Sequence, residues 1–341
     1  MTPMGLRDSL STNIMSNARP LVSVLIPAYN ARPYVAAALD SVLAQTWRPI
    51  EVIAVNDSST DGTTAILDSY RARGVQVIEQ SNAGAAAARN RALTNAHGKY
   101  VLFLDADDLI GPEHIELLLA RLAPDEDYIA MGEWDRFNSD PKESRFPSRP
   151  SYRDSSGVDW LVKDWIDGQP MTQCGAFLVP RKLLDRVGGW DEQLTLTDDF
   201  EFFARLLSRS EGIRFAPGAF LYYRSGIEKS LSGSNSRKAV ESQLRSLMLG
   251  TSHLLDAKAD ANTRLACANM LRQFEYEHYP YHPELRRQAK ARVQELGGAR
   301  VLPQGPPLFQ FNRRLVGWRM ARRIQHLGEW VRGRCWPERS D

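Results

Sequence analysis

The sequence predicts an α/β fold: a mostly parallel, Rossmann-like sheet flanked by helices, followed by a mainly helical C-terminal region. Three observations predict it. Between Leu21 and about Gly132, short apolar runs alternate with helical patterns, the mark of βαβ units. The runs are nearly continuous in Val, Ile and Leu, as strands buried on both faces require. From about residue 235 onward the pattern is mostly helical, without internal repeats or low-complexity tracts.

The elements follow in order. LVSVLIP reads as a first strand closed by proline, and RPYVAAALDSVLAQ as the helix behind it. IEVIAVN is the second strand, and DGTTAILDSYRAR a helix with Asp61 beside its start. VQVIEQ is the third strand, followed by the Ala-rich helix GAAAARNRALTNA. YVLFLD, PEHIELLLARL and DYIAMG repeat the strand, helix and strand pattern. Residues 134–155 lose periodicity and are rich in Pro, Ser and charge, which predicts a loop or crossover. A short helix near 157–167, the apolar stretch CGAFLVP, a turn at VGGWDE, a helix near 198–208 and strands near 213–224 complete this part. The expected segments are a flexible 1–20, a main domain 21–230, a helical region 231–302 and a basic amphipathic tail 303–341.

Composition narrows the function classes. Of 341 residues, 43% are hydrophobic, enough for one large core or a core with an appendage. Forty-three Lys and Arg against 41 Asp and Glu give a net charge of +2, so no chain-wide field attracts nucleic acid. Cys174, Cys267 and Cys335 lie far apart, outside any CxxC pair, which argues against a disulfide framework or zinc cluster and for a reducing compartment. The first twenty residues lack the apolar segment of a signal peptide, and no run of about 18 apolar residues occurs. The expected location is cytoplasmic.

Polar residues fall at three strand ends, Pro27–Asn30 (PAYN), Asn56–Gly62 (NDSSTDG) and Asp105–Asp108 (DADD). In a parallel sheet such ends converge on one rim, where ligands bind. PAYN and NDSSTDG can equally be a proline-closed strand with a turn and a turn with a helix cap. In DADD, Asp107 and Asp108 could cap the helix that opens at Gly111 and Pro112. Clustered carboxylates, however, raise one another's pKa unless a cation sits among them, and Mg²⁺ or Mn²⁺ takes one or two carboxylates together with substrate phosphates.

NAGAAAARNRA, with Gly84 at its start, is neither GxGxxG nor a P-loop. Its small-residue helix start could approach a diphosphate closely with Arg89 as counter-charge, or pack on the sheet through its alanines with Arg89 solvated or ion-paired. In TLTDDFEFFARLL, Asp198 and Asp199 stand at the start of an amphipathic helix. They complement the helix dipole or present a general base to the cleft; with a reference pKa of about 3.9, such a base depends on its positioning.

Taken in order, SVLIPAYN, VNDSSTDG, NAGAAAARN, YVLFLDADD, GAFLVPRKLLDRVGGWDE and TDDFEFFARL resemble an inverting family 2 glycosyltransferase of the GT-A fold, from about Leu21 to about Arg224. The resemblance implies a nucleotide-sugar donor, with UDP as the nucleotide, and transfer to a hydroxyl of a glycan or lipid-linked acceptor. It implies that Pro27, Ala28, Tyr29 and Asp57 hold the nucleobase, with Asn30 and Gly84 beside them, and that Arg89 faces the nucleotide. Asp105 and Asp107 would be the DxD motif holding Mn²⁺ or Mg²⁺, with Asp108 adjacent. Asp199 would be the catalytic base. Two departures stand out: the family's Glu before that base is Asp198 here, and YYRSGIEKS lacks the histidine often found just after the tyrosine-arginine stretch. A QxxRW motif near the expected place is also missing, which implies transfer of a single sugar.

Two rival functions have their own marks. A nucleotidyltransferase needs a Gly-rich basic loop after the first strand, and PAYNARPY is not one. An inactive sugar-nucleotide-binding relative is expected to lose an acid, whereas Asp57, Asp105, Asp107 and Asp199 are all present. In the tail, Val316, Met320, Ile324, Leu327 and Val331 form one helical stripe with Arg313, Arg314, Arg319, Arg322 and Arg323 around it. Such a helix either docks on the core or lies in a membrane interface, giving peripheral contact with the inner face of the membrane.

Overall fold

The computed structural model describes residues 19–122, 127–170, 172–227 and 236–331. Of the segments read from the sequence, residues 1–18, Glu228 to Ser230 and Cys335 lie outside these described residues, as does the side chain of Val331.

The parallel half of the sheet consists of β1 (Val22–Ala28), β2 (Ile50–Asp57), β3 (Val75–Gln80) and β4 (Tyr100–Phe103), connected through α1 (Val35–Leu43), α2 (Thr63–Tyr70) and α3 (Ala85–Thr94). β1 pairs in parallel with β2 on one side and β4 on the other, so Ala28 lies opposite Asn56 and Leu25 opposite Phe103. Buried on both faces, Val22 to Ile26 have no exposed position for a charge, which accounts for the unbroken apolar run.

The other half is mixed. After β5 (Leu109–Ile110) and α4 (His114–Leu122) come β6 (Tyr128–Phe137), α5 (Gly157–Trp165), β7 (Phe177–Pro180), α6 (Arg181–Val187), α7 (Asp198–Arg209) and β8 (Gly212–Arg224). The eight strands lie in the order β3-β2-β1-β4-β7-β6-β8-β5. β7 is antiparallel to both β4 and β6, and β6 and β8 run parallel. Residues 134–137, expected in a loop, instead continue β6. A register shift between Met131 and Glu133 breaks the regular pattern there, so the strand does not show as a clean run in the sequence.

Four helices follow: α8 (Arg237–Ala257), α9 (Ala261–Glu277), α10 (Pro283–Glu295) and α11 (Pro307–Val331). The apolar core is continuous from the sheet through Phe200 and Phe203 of α7 into Leu247 of α8, Phe274 of α9 and Ala289 of α10. The stripe expected to run unbroken along the tail is interrupted, because Gly317 inside α11 takes φ 75° and ψ 160° and bends the helix there. Glycine alone adopts that backbone without strain.

Candidate active site

The strand ends are joined by hydrogen bonds. Asn30 has φ 49°, and from there its backbone N–H donates to Ser59 Oγ at 3.0 Å while its side-chain oxygen accepts from the Thr60 N–H at 2.8 Å. That stitches the loop after β1 to the loop after β2. Asp57, buried at the end of β2, uses Oδ1 to accept from Gln80 Nε2 and the Ala83 N–H, both at 2.8 Å, and Oδ2 to accept from the Gly84 N–H at 2.9 Å. Its carboxylate therefore fixes the start of α3. A carboxylate has roughly four acceptor positions, so Oδ2 keeps one for a further N–H donor. Tyr29 is 51% exposed beside it, above the buried Ala28, with Pro27 half-buried.

Arg89 is ion-paired, one of the arrangements the sequence left open. It is only 6% exposed, with Nη2 at 2.8 Å from Asp105 Oδ1 and Nη1 at 2.6 Å from Asp198 Oδ2. The guanidinium sits 4.4 Å over the Trp190 ring, which stacks at 3.9 Å on Phe202 of α7. With both terminal nitrogens engaged by carboxylates and one face against an indole, Arg89 joins acids of the chain together. Asn90 fixes the same loop, accepting from the Trp190 N–H at 2.8 Å and donating to the Trp190 carbonyl at 3.0 Å. A Cβ on Gly189 would come within 2.4 Å of the Asn90 side-chain oxygen, so this close approach needs glycine.

The acids after β4 divide their roles. Asp105 gives one oxygen to Arg89, with its side chain still about a third exposed. Asp108 is buried and accepts from the Arg224 N–H at 2.8 Å, so it ties the β4 end to β8 instead of capping α4. Arg224 also donates through Nε to the Asp107 carbonyl at 2.9 Å, and its guanidinium lies 4.9 Å over the Tyr34 ring. Five carboxylates, those of Asp105, Asp107, Asp108, Asp198 and Asp199, thus share two guanidiniums, those of Arg89 and Arg224.

The excess negative charge is visible in the titration of its members. Burial, and then Asp105, push Asp107 up to about 6. Burial, with Asp107 and Asp105, pushes Asp108 well above the carboxylate range. Tyr223 rises to about 12 through burial and the same three acids. A site in this state suits a divalent cation. Among the described residues no three His, Cys, Asp or Glu side chains are grouped to hold an ion alone. Asp107 with the open side of Asp105 would hold it together with donor phosphates and water, as Mg²⁺ and Mn²⁺ commonly are.

Asp199 stands one residue beyond the Arg89 bridge, at the start of α7. Burial, and then the neighbouring Asp198, push it up to about 7 against the pull of Arg89. The carboxylate is therefore a stronger base than its ordinary value implies. Burial also raises Asp198, opposed by Arg89.

The family described as "Glycosyl transferase family 2" matches residues 23–188. Residues 23–188 are therefore similar to glycosyltransferase family 2. YibD of Escherichia coli (strain K12), an uncharacterized glycosyltransferase, is 37% identical over 154 residues, 43% of this chain and 44% of YibD. TuaG of Bacillus subtilis (strain 168), a glycosyltransferase whose name places it in teichuronic acid biosynthesis, is 50% identical over 97 residues, 28% of this chain and 38% of TuaG. The chain thus spans less than half the length of either relative. Among solved structures, S. aureus TarS 1-349 in complex with UDP-GlcNAc superposes with a TM-score of 0.67 over 90% of this chain and 92% of that one, at 20% identity. That likeness shows the GT-A-like fold.

The turn that precedes Asp199 is set by contacts that no local sequence signal announces. Thr197, just before α7, has φ 59° and ψ 32°, a left-handed conformation unfavourable for a β-branched residue. Two buried serines of α8 hold it: Ser246 Oγ donates to the Thr197 carbonyl at 2.5 Å, and Ser242 Oγ accepts from the Thr195 and Leu196 N–H groups at 2.8 and 3.1 Å. Serines at helical spacing in a region without motifs give no local signal of that role. Ser246→Ala is expected to destabilise the protein by about 1–3 kcal/mol, because the Thr197 carbonyl is left without its donor. A denaturation midpoint equal to that of the wild type would contradict this.

Proposed function

We propose that the protein is an inverting glycosyltransferase that moves one sugar from a nucleotide-sugar donor, a UDP-sugar, to a hydroxyl of a glycan or lipid-linked acceptor. The observation that carries this reading is the Arg89 bridge. By pairing with both Asp105 and Asp198, it unites the acids of the DAD strand end with the carboxylate pair at the start of α7. A donor diphosphate at the first and an acceptor hydroxyl at the second would meet across one sugar.

In the reaction, Asp199 takes the acceptor O–H proton, the acceptor oxygen bonds to the anomeric carbon, and the bond from that carbon to the diphosphate oxygen breaks on the opposite face. One displacement inverts the configuration. Asp107 and Asp105 would hold Mn²⁺ or Mg²⁺, which would neutralise charge on the leaving diphosphate. Asp57 would accept from the nucleobase imide, with Pro27, Ala28 and Tyr29 lining the base. Support for a nucleotide-sugar donor also comes from TarS 1-349, solved with UDP-GlcNAc and with UDP, and from PcManGT of Pyrobaculum calidifontis, solved with GDP-Man and Mn²⁺. The role in the name of TuaG favours a polysaccharide as the product. Among the described residues no helix is long and apolar enough to cross a membrane. A lipid-linked acceptor would be met at the inner membrane face through peripheral contact of the basic tail.

A panel of nucleotide sugars with Mn²⁺ or Mg²⁺, read by nucleotide release, tests the reading. Slow hydrolysis of a UDP-sugar is expected, and release from none of the donors, with or without candidate acceptors, overturns it. By calorimetry, UDP is expected to bind more tightly with Mn²⁺, and Asp107→Asn to remove most of that dependence while the fold survives. Equal affinity with and without the metal sinks the metal assignment.

A further inference from the structure

The tail helix α11 is anchored through one set of its residues, among them Arg322, which donates to the Gln304 carbonyl at 3.1 Å, and His326, 3.2 Å from the Tyr279 carbonyl. Phe309 and Ala321 are buried, and Trp318 sets its ring against Tyr276 at 4.8 Å and Tyr279 at 5.0 Å. The apolar stripe read from the sequence is not among these anchors. Val316, Met320, Ile324 and Leu327 are 41–62% exposed, so the docking alternative does not describe them. A helix that packs through one set of residues and leaves four aliphatic side chains in water has an uncovered face.

Charge lies next to that face. A cavity of about 390 Å³ is lined by Tyr279, Arg286, Val316, Arg319, Met320 and Arg323. Arg286 is fixed by donating Nε to the Tyr281 carbonyl at 2.6 Å and Nη2 to the Pro280 carbonyl at 3.0 Å, and its guanidinium lies 4.9 Å over Tyr279. Arg323 lies 5.8 Å from the same ring. The buried acid nearby, Glu275, pairs with Arg272 at 2.7 Å and is 3.9 Å from Arg319, while Glu284 pairs with Arg237 at 3.2 Å. Three guanidiniums therefore face one cavity, and the nearest acid is already shared with a fourth.

We propose that this cavity binds the phosphate of anionic membrane lipids, with Val316, Met320, Ile324 and Leu327 entering the boundary between headgroups and acyl chains beside it. Guanidinium groups match phosphate oxygens in geometry and charge. The adjoining aliphatic stripe decides the source of that phosphate, since only a lipid offers it an apolar phase. The site is separate from the sugar-transfer reading and stands or falls without it.

Co-sedimentation of the full chain with phosphatidylcholine vesicles, with and without phosphatidylglycerol, tests the proposal. Binding is expected with the anionic vesicles only, and to weaken as salt rises. Arg319→Gln with Arg323→Gln is expected to weaken it about 30-fold, from the usual contribution of two basic residues at an anionic surface. Arg91→Gln with Arg209→Gln, an equal charge change on α3 and α7, which do not line the groove, should leave it within about 3-fold of the wild type. Met320→Ser with Leu327→Ser, both exposed and tolerable to the fold, should release the protein although its charge is unchanged. The proposal is overturned if neutral vesicles bind equally, if the groove pair and the control pair lose binding alike, or if the serine variant still pellets. It is also overturned if the protein ignores vesicles but sediments as a dimer that Met320→Ser dissociates, since a second copy would then cover this face.

Discussion

Asp199→Asn is expected to lower turnover by about 10² to 10⁴ while leaving UDP affinity unchanged, the usual cost of losing a general base. The residue stands at the start of α7 next to the bridged Asp198, not among the acids after β4, so donor binding and proton removal are separable. Its pH dependence gives a second signature. Burial, with Asp198, raises Asp199 to about 7, and only the deprotonated form accepts the acceptor's proton. The rate should therefore rise with pH through a limb near 7 and level off above it. In Asp199→Asn that limb should vanish, leaving a low, flatter profile. Wild-type turnover in the variant, or an unchanged acid limb, would exclude Asp199 as the base.

Arg89→Met is expected to destabilise the fold by about 3–5 kcal/mol, the cost of removing one partner from a buried ion pair. The arginine is the cation that both Asp105 and Asp198 touch, and it is nearly inaccessible to water. Methionine keeps much of the volume over Trp190 but leaves two carboxylates facing each other in a site already rich in negative charge. Urea unfolding measures the loss. Combining Arg89→Met with Asp198→Asn should recover part of it, because one of the uncompensated charges is then gone. A loss under about 1 kcal/mol, within the range of an exposed pair, would mean that Arg89 is solvated and the bridge is not structural.

Much of this protein is written locally in its sequence. LVSVLIP, IEVIAVN and YVLFLD declare buried parallel strands because a strand covered on both faces has no place for polar side chains. The convergence of PAYN, NDSSTDG and DADD follows from the same reading, since parallel strands end on one rim. What the sequence could not declare depends on long-range pairing and burial. Arg89 and Asp198 lie 109 positions apart, and nothing near either residue says that they meet. The antiparallel entry of β7 between β4 and β6, and the continuation of β6 through residues 134–137, come from ladder partners distant in the chain. The hold of Ser242 and Ser246 on the Thr197 turn comes from the packing of α8 on α7. The value near 7 for Asp199 arises because the fold takes the carboxylate out of water and sets Asp198 beside it. Composition supplies the acids, but desolvation and Coulomb repulsion act only once tertiary structure has fixed their depth and distances.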